Sequence, residues 1–268
     1  MDEDAVAQLA AGLARRWSVT LLPRFSGAEG SGSWVAPAVR ADGTPAVLKI
    51  GMRHFEGEHE IAGLRLWNGD GMVRILESDD ASGAMLLERC EPDTTLRELP
   101  EAEQNRVIAS LLRRLWRAPS VDGPFRQLAA QMRFWSEETL ASRERWAEAG
   151  LVHEGLRLFD DLPRTATSQV LLATDLHAGN VLRSQREPWL GIDPKPFVGD
   201  PAYDPTQHLF NCETRMRADP HGTIRRMADL LEVDAERVRL WVFARAAAEP
   251  RDDWRDERLL SIARSVFP

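Results

Sequence analysis

The most constraining feature of this sequence is one segment, residues 171–196, which reads LLATDLHAGNVLRSQREPWLGIDPKP. Two short apolar runs, "NVLRS" and "PWLGI", flank the polar "SQRE" and predict a β-hairpin. The hairpin would bring Asn180, at the start of its first arm, beside Asp193, just past its second arm. One amide oxygen next to one carboxylate suits Mg²⁺, a hard cation that also takes phosphate oxygens and water.

Asp175 lies five residues before Asn180, in the loop "TDLHAGN". The spacing D-x-x-x-x-N, followed by strand, turn, strand and Asp, is typical of a phosphoryl-transfer site of the kinase type. In such a site the first Asp accepts the proton of the attacking hydroxyl, while the Asn and the second Asp hold the metal ion on the phosphates. We therefore predict Asp175 as the catalytic residue, and Asn180 and Asp193 as the metal ligands.

Lysine is almost absent from the chain, because only Lys49 and Lys195 are lysines among 34 Lys and Arg residues. Lys49 ends the apolar strand "PAVLKI", which follows the hairpin signal "ADGT". Kinases hold the nucleotide phosphates with a lysine on such a strand, paired with a glutamate on the next helix. Glu60 is the expected partner, and Glu58 is its competitor.

Glycines precede the strand of Lys49 in "SGAEGSGSW". Backbone N–H groups in such a loop can face phosphates. The order G-x-x-G-x-G is not the standard nucleotide fingerprint, so a phosphate loop and a plain hairpin turn both remain open.

The strand and helix patterns predict an α+β chain of two parts. An amphipathic helix over residues 4–17 precedes an antiparallel sheet over residues 18–90, which is interrupted by one helix in "FEGEHEIAGLRLW". After residue 90 the pattern is mainly helical, apart from the strand-rich 169–193. The predicted domains are 1–90, which would bind the nucleotide, and 91–268, which would hold the catalytic loop. Helices of the second part are predicted over 101–117, 126–149, 151–161, 201–217, 221–231, 234–248 and 252–266.

Composition argues against several classes of function. The chain has 268 residues with 43% apolar composition and a formal charge of −8, so it can bury a core but shows no basic face for nucleic acid. No apolar run approaches the roughly 18 residues of a membrane span, and the N-terminus lacks the order of a signal peptide. Cys90 and Cys212 fit neither a zinc pattern nor a disulfide framework. We expect a cytoplasmic protein with no nucleic-acid or membrane partner.

The segments "TDLHAGNVL" and "WLGIDPKPFVGDPAYD" resemble the aminoglycoside phosphotransferases, within the protein-kinase-like fold. The helix "HEIAGLRLW" and the hinge-like "LLERCEPDTTL" are similar to the same family. The resemblance is to the branch that phosphorylates streptomycin and hydroxyurea, in which "IDPK" takes the place of the kinase D-F-G. It implies a bilobal fold, with a small antiparallel N-lobe containing one helix and a larger, mainly α-helical C-lobe. It also implies ATP, with GTP as the alternative, and Mg²⁺ as cofactors.

The resemblance further implies nucleotide-binding roles in the N-lobe. Lys49, with Glu60 as its partner, would hold the α- and β-phosphates. The hinge near Glu88 and Cys90 would meet the purine through backbone groups. Lys195, just past the metal ligand, would lie near phosphate or substrate, and a structural role is the open alternative.

One departure from the family concerns the start of the loop, where many relatives read H-G-D and residues 173–175 here read Ala-Thr-Asp. The family His braces the loop, so its absence bears on loop positioning rather than on the reaction class. His177 is interpreted as a packing or hydrogen-bonding residue. Asp200 and Asp204 of "GDPAYDP" are interpreted as structural, Asp200 as a helix cap and Asp204 pointing back toward the loop.

The predicted function is transfer of the ATP γ-phosphoryl group to a hydroxyl of an aminoglycoside-type antibiotic, streptomycin-like, giving resistance. The protein would act as a monomer or weak dimer on a small cationic substrate. Two alternatives remain: a kinase of the same fold acting on a basic peptide antibiotic or a metabolite, and an inactive nucleotide-binding regulator. Carboxylates of the helical part that could meet a cationic substrate are Glu137, Glu138, Asp160, Asp161, Glu213 and Asp219.

Overall fold

The computed structural model describes residues 3–25, 33–51, 54–119 and 123–268. In chain order its helices and strands are α1 (Glu3–Arg16), β1 (Val19–Leu21), β2 (Ser33–Arg40), β3 (Pro45–Gly51), α2 (Glu60–Trp67), β4 (Ile75–Asp79), β5 (Ala84–Glu88), β6 (Glu91–Thr95), α3 (Glu101–Leu115), α4 (Leu128–Ala141), α5 (Ala149–Arg164), β7 (Val170–Leu172), β8 (Val181–Arg183), β9 (Trp189–Gly191), β10 (Phe197–Gly199), α6 (Thr206–Asn211), α7 (Glu213–Ala218), α8 (Pro220–Leu231), α9 (Ala235–Ala248) and α10 (Glu257–Ser265).

The chain divides into two compact units. The first unit contains Met1–Thr95 and Val181–Lys195, and the second contains Leu96–Asn180 and Pro196–Pro268. The division differs from the predicted boundary after residue 90, because β6 pairs antiparallel with β8 and β8 pairs with β9. The β8–β9 hairpin therefore belongs to the same unit as the N-terminal sheet. The functional roles assigned to residues 1–90 and 91–268 stay predictions.

Within the described residues, the first unit has a five-stranded antiparallel sheet in the order β1-β2-β3-β5-β4. The predicted β2–β3 hairpin is confirmed, with Gly43 at φ 84° in its turn and Asp42 Oδ1 accepting the N–H of Thr44 at 2.9 Å. Leu48 and Ile50 of β3 pack in a buried cluster with the apolar side of α1. Because side chains alternate along a strand, Lys49 points to the opposite face of the sheet.

Two predicted elements of the first unit begin later than expected. The helix predicted from "FEGEHEIAGLRLW" starts at Glu60, because residues 55–59 form turns in which Gly57 donates its N–H to His54 Nδ1 at 3.2 Å. The strand expected at 72–76 lies at Ile75–Asp79, and Met72 makes only an isolated bridge to Gly191.

The second unit packs its helices around α9, whose residues from Trp241 to Ala248 are buried. Gly155 lets α5 approach α9 closely, since a Cβ at this position would lie 2.8 Å from the Cβ of Ala248. The helix predicted over 201–217 is in fact a short turn followed by α6 and α7, which are separated at Cys212. Pro205, at the N-cap of α6, and Asp200, which caps the turn, account for the break at the start.

A two-stranded ribbon in the second unit pairs β7 with β10, with Leu172 opposite Phe197. The loop that contains Asp175 follows β7, and the "GDPAYDP" segment follows from the end of β10. No helix within the described ranges is long and apolar enough to cross a membrane.

Candidate active site

Two carboxylates hold Lys49 in the first unit. Its Nζ donates to Glu60 Oε1 at 2.6 Å and to Oδ1 of Asp193. The side chains of Lys49 and Glu60 are each 8% exposed, whereas Glu58 is an exposed residue. Burial alone would lower the pKa of Lys49, but the charges of Glu60 and Asp193 outweigh burial and raise this pKa. Lys49 is therefore a persistent buried cation.

Asp193 lies two residues after β9, at the end of the predicted β8–β9 hairpin, in which Val181 pairs with Gly191. Its backbone φ of 53° is in the left-handed region, which Asp tolerates better than most residues. Burial would raise the pKa of Asp193, but the charges of Lys49 and Lys195 lower it, so the side chain is a carboxylate. The side chain of Asp193 is 43% exposed and can accept a further cation.

Lys195 lies near the metal-ligand candidate, with Nζ 3.8 Å from Asp193 Oδ2. This distance makes Lys195 a charge partner of Asp193. A contact of Lys195 with phosphate or substrate stays a prediction.

The hinge candidate Glu88 has its side chain engaged inside the first unit. Oε1 of Glu88 accepts from Arg186 Nη2 at 2.7 Å and from the N–H of Arg74 at 2.8 Å, and Oε2 accepts from Arg186 Nε at 3.2 Å. These contacts engage the side chain of Glu88, and the role of the hinge backbone in binding the purine stays a prediction. Burial raises the pKa of Cys90 to about 11, so Cys90 is a neutral thiol. The sequence indicated only a turn at "SQRE" and did not reveal Arg186 as the partner of Glu88.

Asp175 and Asn180 lie in one loop of the second unit, and both are partly exposed. Asn180 donates its Nδ2 to the backbone oxygen of Asp175 at 3.1 Å, and its N–H to the oxygen of His177 at 2.8 Å. With Nδ2 directed to a carbonyl, Oδ1 of Asn180 is the atom that could ligate a metal. His177 Nδ1 accepts the N–H of Gly179 at 3.0 Å, which supports its interpretation as a hydrogen-bonding residue of the loop.

Asp204 braces the start of this loop, where the family His is absent. Oδ1 of Asp204 accepts the N–H of Thr174 at 2.7 Å, and Oδ2 accepts the N–H of Ala173 at 3.1 Å and the indole N–H of Trp116 at 2.9 Å. Thr174 has φ 52°, a conformation that is unfavourable for a β-branched residue. Burial raises the pKa of Asp204 to about 6. The structure thus places Asp204 as expected and supplies a different brace for the loop.

Asp200 also takes its expected place. Its Oδ1 accepts the N–H of Ala202 at 3.0 Å, which caps the turn after β10, and its Oδ2 accepts the indole N–H of Trp241 at 2.7 Å. Asp200 is therefore a structural residue that ties β10 to α9.

The structure brings Lys49, Glu60 and Asp193 together in the first unit, and Asp175 and Asn180 together in the second. The pairing of Asn180 with Asp193, which belong to different units, stays a prediction. No group of three or more His, Cys, Asp or Glu side chains that could hold a metal occurs in the described part of the chain. Magnesium bound through few protein ligands and phosphate oxygens does not need such a group. The glycine-rich stretch 26–32 lies outside the described residues.

The second unit contains a cavity of about 430 Å³. Of the carboxylates suggested for a cationic substrate, Glu213 lines this cavity, whereas Glu137 does not and is exposed on α4. Asp160 and Asp161 pair with Arg164, and Asp219 caps α8. Residues that line the cavity include Gln207, Phe210, Asn211, Glu213, Arg245 and Glu249.

Arg245 is a buried cation of the cavity wall that the sequence did not single out. It is 4% exposed, pairs with Glu249 at 2.8 Å and donates to Thr206 Oγ1 at 2.7 Å and Gln207 Oε1 at 2.8 Å. Nothing in the apolar pattern around "VFARAAA" separates this Arg from the many others, because two of its three partners, Thr206 and Gln207, belong to α6.

Comparison with known proteins identifies the family. The profile of the family described as "Aminoglycoside/hydroxyurea antibiotic resistance kinase" matches residues 16–254. The chain belongs to this family. It is 38% identical to streptomycin 6-kinase of Streptomyces griseus over 228 residues, which cover 81% of this chain and 73% of that protein. It is 36% identical to hydroxyurea phosphotransferase of Kitasatospora aureofaciens over 217 residues, which cover 79% of this chain and 63% of that protein. These matches confirm the predicted family and enzyme class, an antibiotic-resistance phosphotransferase.

Solved structures confirm the protein-kinase-like fold of this family member. Choline kinase LicA from Streptococcus pneumoniae has a TM-score of 0.71 at 14% identity, with 98% of this chain and 99% of that chain covered. A thermostable mutant of aminoglycoside phosphotransferase APH(4)-Ia, in a ternary complex with AMP-PNP and hygromycin B, has a TM-score of 0.57 at 15% identity, with 95% and 97% covered. At such identities the likeness carries the fold alone.

Proposed function

We propose that this protein transfers the γ-phosphoryl group of ATP to a hydroxyl group of a streptomycin-like aminoglycoside. The observation that carries the proposal is the contact of Lys49 Nζ with both Glu60 and Asp193. A buried cation held beside a partly exposed carboxylate is what a metal-bound nucleotide requires. The streptomycin 6-kinases among the relatives support the choice of acceptor.

The residues present fit a magnesium–nucleotide complex. Lys49 is charged and compact, which suits contact with the α- and β-phosphates. Asp193 is ionised and partly exposed, and Asn180 has its Oδ1 directed away from the carbonyl that binds its Nδ2. In our proposal Asn180 and Asp193 hold Mg²⁺, which would neutralise phosphate charge when bound. GTP is the alternative nucleotide, since the hinge near Glu88 and Cys90 would act through its backbone.

The proposed reaction assigns the proton to Asp175. The acceptor oxygen forms a bond to the γ-phosphorus as the bond from the γ-phosphorus to the β-bridging oxygen breaks, and ADP leaves. Asp175 accepts the hydroxyl proton, or orients the hydroxyl until the proton is lost. Asp204 contributes by holding the backbone of the two residues before Asp175. Positioning of this kind supplies most of the catalysis in phosphoryl transfer.

The proposal extends to the setting of the reaction. We expect a small cationic acceptor as the partner, a cytoplasmic location and a monomer or weak dimer. The streptomycin 6-kinases among the relatives support a cationic acceptor. The cavity lining carries both Glu213 and Glu249 and the arginines Arg245, Arg251 and Arg258, so its charge alone does not select a cation.

The test measures ADP release with MgATP in the presence of streptomycin, other aminoglycosides, hydroxyurea, a viomycin-like peptide or no acceptor. We expect turnover with streptomycin, and a loss of about 10²- to 10⁴-fold in kcat in Asp175→Asn, since a general acid–base group contributes that much. Turnover with a different acceptor would support the proposed reaction and show that streptomycin is not the acceptor. Nucleotide binding without turnover of any acceptor would contradict the proposal and favour a regulator.

A further inference from the structure

Arg97 lies against the loop that contains Asp175 and Asn180. It belongs to the turn Leu96–Glu98, which contacts the turn Ala178–Asn180 within the second unit. A Cβ built on Gly179 would lie 2.9 Å from both Cζ and Nε of Arg97, which is closer than side chains tolerate. A side chain at position 179 would require the end of the Arg97 side chain and the ring of His177 to shift, so Gly179 allows Arg97 to lie close to the loop.

A hydrogen bond from Arg97 leads to the cavity of the second unit. Arg97 Nη2 donates to Asn211 Oδ1 at 3.0 Å, and Asn211 Nδ2 donates to the backbone oxygen of Gln207 at 2.9 Å. The Asn211 amide is thus oriented from both of its ends. Asn211 and Gln207 both line the cavity, so the Arg97–Asn211 pair connects the loop to the cavity wall.

A second cavity residue indicates that the cavity lies within electrostatic reach of Asp175. Burial would lower the pKa of Arg245, but the charge and the hydrogen bond of Glu249 outweigh burial and raise this pKa, with a smaller contribution from the charge of Asp175.

Among the side chains that the structure describes, no carboxylate forms an ion pair with Arg97. Arg157 and Arg264, by contrast, each bind two carboxylates. Arg97 is exposed, and Asn211 takes one of its N–H donors. A guanidinium has five N–H donors in a fixed planar fork, so several donors of Arg97 can reach a ligand.

We propose that Arg97, held by Asn211, positions the acceptor by donating hydrogen bonds to hydroxyl oxygens of a polyhydroxylated ring. Like charges repel, so Arg97 would meet the hydroxyl edge of an aminocyclitol rather than its cationic groups. Glu213, which lines the cavity together with Asn211, the partner of Arg97, offers a carboxylate to a cationic group. The inference rests on the proposed function, because it names the acceptor-binding residue of that same site.

The test is steady-state kinetics of Arg97→Gln with streptomycin and MgATP. Loss of charge-assisted hydrogen bonds to the acceptor should raise the KM for streptomycin about ten- to a hundredfold. The KM for MgATP should change by less than about twofold, since Arg97 does not contact the nucleotide in our proposal. Arg97→Lys should recover part of the affinity, because it keeps the charge and loses the fork.

Arg113→Gln is the matched control, since Arg113 is another arginine of the second unit and pairs with Glu232. It should leave every kinetic constant unchanged. An unchanged KM for streptomycin in Arg97→Gln, or an equal rise in both KM values, would overturn the inference.

A second variant covers the case in which Arg97→Gln is poorly folded. Asn211→Asp puts a carboxylate beside the guanidinium of Arg97, and this carboxylate would accept the N–H donors that otherwise bind the acceptor. The KM for streptomycin should therefore rise again, while the KM for MgATP should not change. An unchanged KM for streptomycin in this variant would also overturn the inference. If the wild-type protein phosphorylates only another acceptor of the panel, that acceptor is used as the probe. If it phosphorylates none, the proposed function fails in the wild-type protein itself and this inference fails with it.

Discussion

Lys49 Nζ lies 2.6 Å from Glu60 Oε1, and the two side chains form a buried ion pair between β3 and α2. The same ammonium contacts Asp193, which follows the β8–β9 hairpin. Two consecutive elements, β3 and α2, therefore meet a segment 144 residues further along the chain from Lys49 at one charge. A pair of this kind is costly to break, because the remaining charge stays buried without its partner.

Glu60→Gln should consequently lower the free energy of unfolding by about 3 kcal/mol, at the low end for a broken buried pair because Asp193 still contacts Lys49. It should also raise the KM for MgATP, since the ammonium loses the partner that holds it in place. Urea unfolding and steady-state kinetics measure the two effects. Glu58→Gln is the control, because Glu58 is exposed on the same segment. Equal effects of the two substitutions would exclude the assigned role of Glu60.

The Arg186–Glu88 fork ties the β8–β9 hairpin to the end of β5, with side chains that are 23% and 18% exposed. A partly buried bidentate pair is stronger than a surface pair. We expect Arg186→Gln to cost about 1–3 kcal/mol of stability and to raise the KM for MgATP, because the hairpin leads to Asp193.

A double-mutant cycle with Glu88→Gln isolates this pair. The coupling energy should be about 1–3 kcal/mol in urea unfolding, within the range seen for residues in contact. Arg186→Gln combined with Glu187→Gln is the matched comparison, since Glu187 pairs with Arg186 within one turn. Strictly additive effects of Arg186→Gln and Glu88→Gln would show that the fork does not hold the hairpin.

The stability of the second unit should depend on two buried groups with opposite pH dependence. Burial raises the pKa of Asp204 to about 6, although Trp116, Ala173, Thr174 and Arg245 all favour its charged form. The folded protein therefore prefers protonated Asp204. Its contribution to stability is largest below about pH 4 and declines by about 3 kcal/mol as the pH rises through 6.

His208 acts in the other direction. Burial lowers its pKa to about 4, with a smaller contribution from His177, so the folded protein prefers neutral His208. Neutral His208 contributes about 3 kcal/mol to the free energy of unfolding above about pH 6.5. This contribution is lost as the pH falls to 4.

Urea unfolding at several pH values between 4.5 and 7 separates these two contributions. The stability difference between wild type and Asp204→Asn should shrink as the pH rises. The difference between wild type and His208→Gln should grow as the pH rises. Parallel pH profiles for the wild type and either variant would contradict the assigned pKa direction of that residue. Because Asp204 braces the loop of Asp175, Asp204→Asn should also lower kcat.

The pattern of apolar and turn residues in the sequence predicted those elements whose backbone hydrogen bonds join residues that are close along the chain. The β2–β3 hairpin has its Asp-Gly turn and alternating residues in one segment, and a turn at residues 81–83 precedes β5, which pairs with the neighbouring β4. The helix expected over 201–217 failed because Asp200 and Pro205 impose a turn first. The strands β6 and β10 were missed because neither stands out as a strand in the local pattern, and each pairs with a segment far along the chain.

The sequence by itself determined which residues are candidates for the chemistry: Lys49 on a strand, the D-x-x-x-x-N spacing of Asp175 and Asn180, and Asp193 beyond a hairpin. Residue type and spacing carry that information, because the reaction needs particular groups at particular intervals along the chain. Only the tertiary structure decided that Glu60 rather than Glu58 contacts Lys49, that Arg186 binds Glu88, and that Asp204 braces the loop. These pairings depend on which side chains are buried together. An unpaired charge that is buried destabilises the folded protein strongly, whereas an unpaired charge that is exposed to water has little effect on stability.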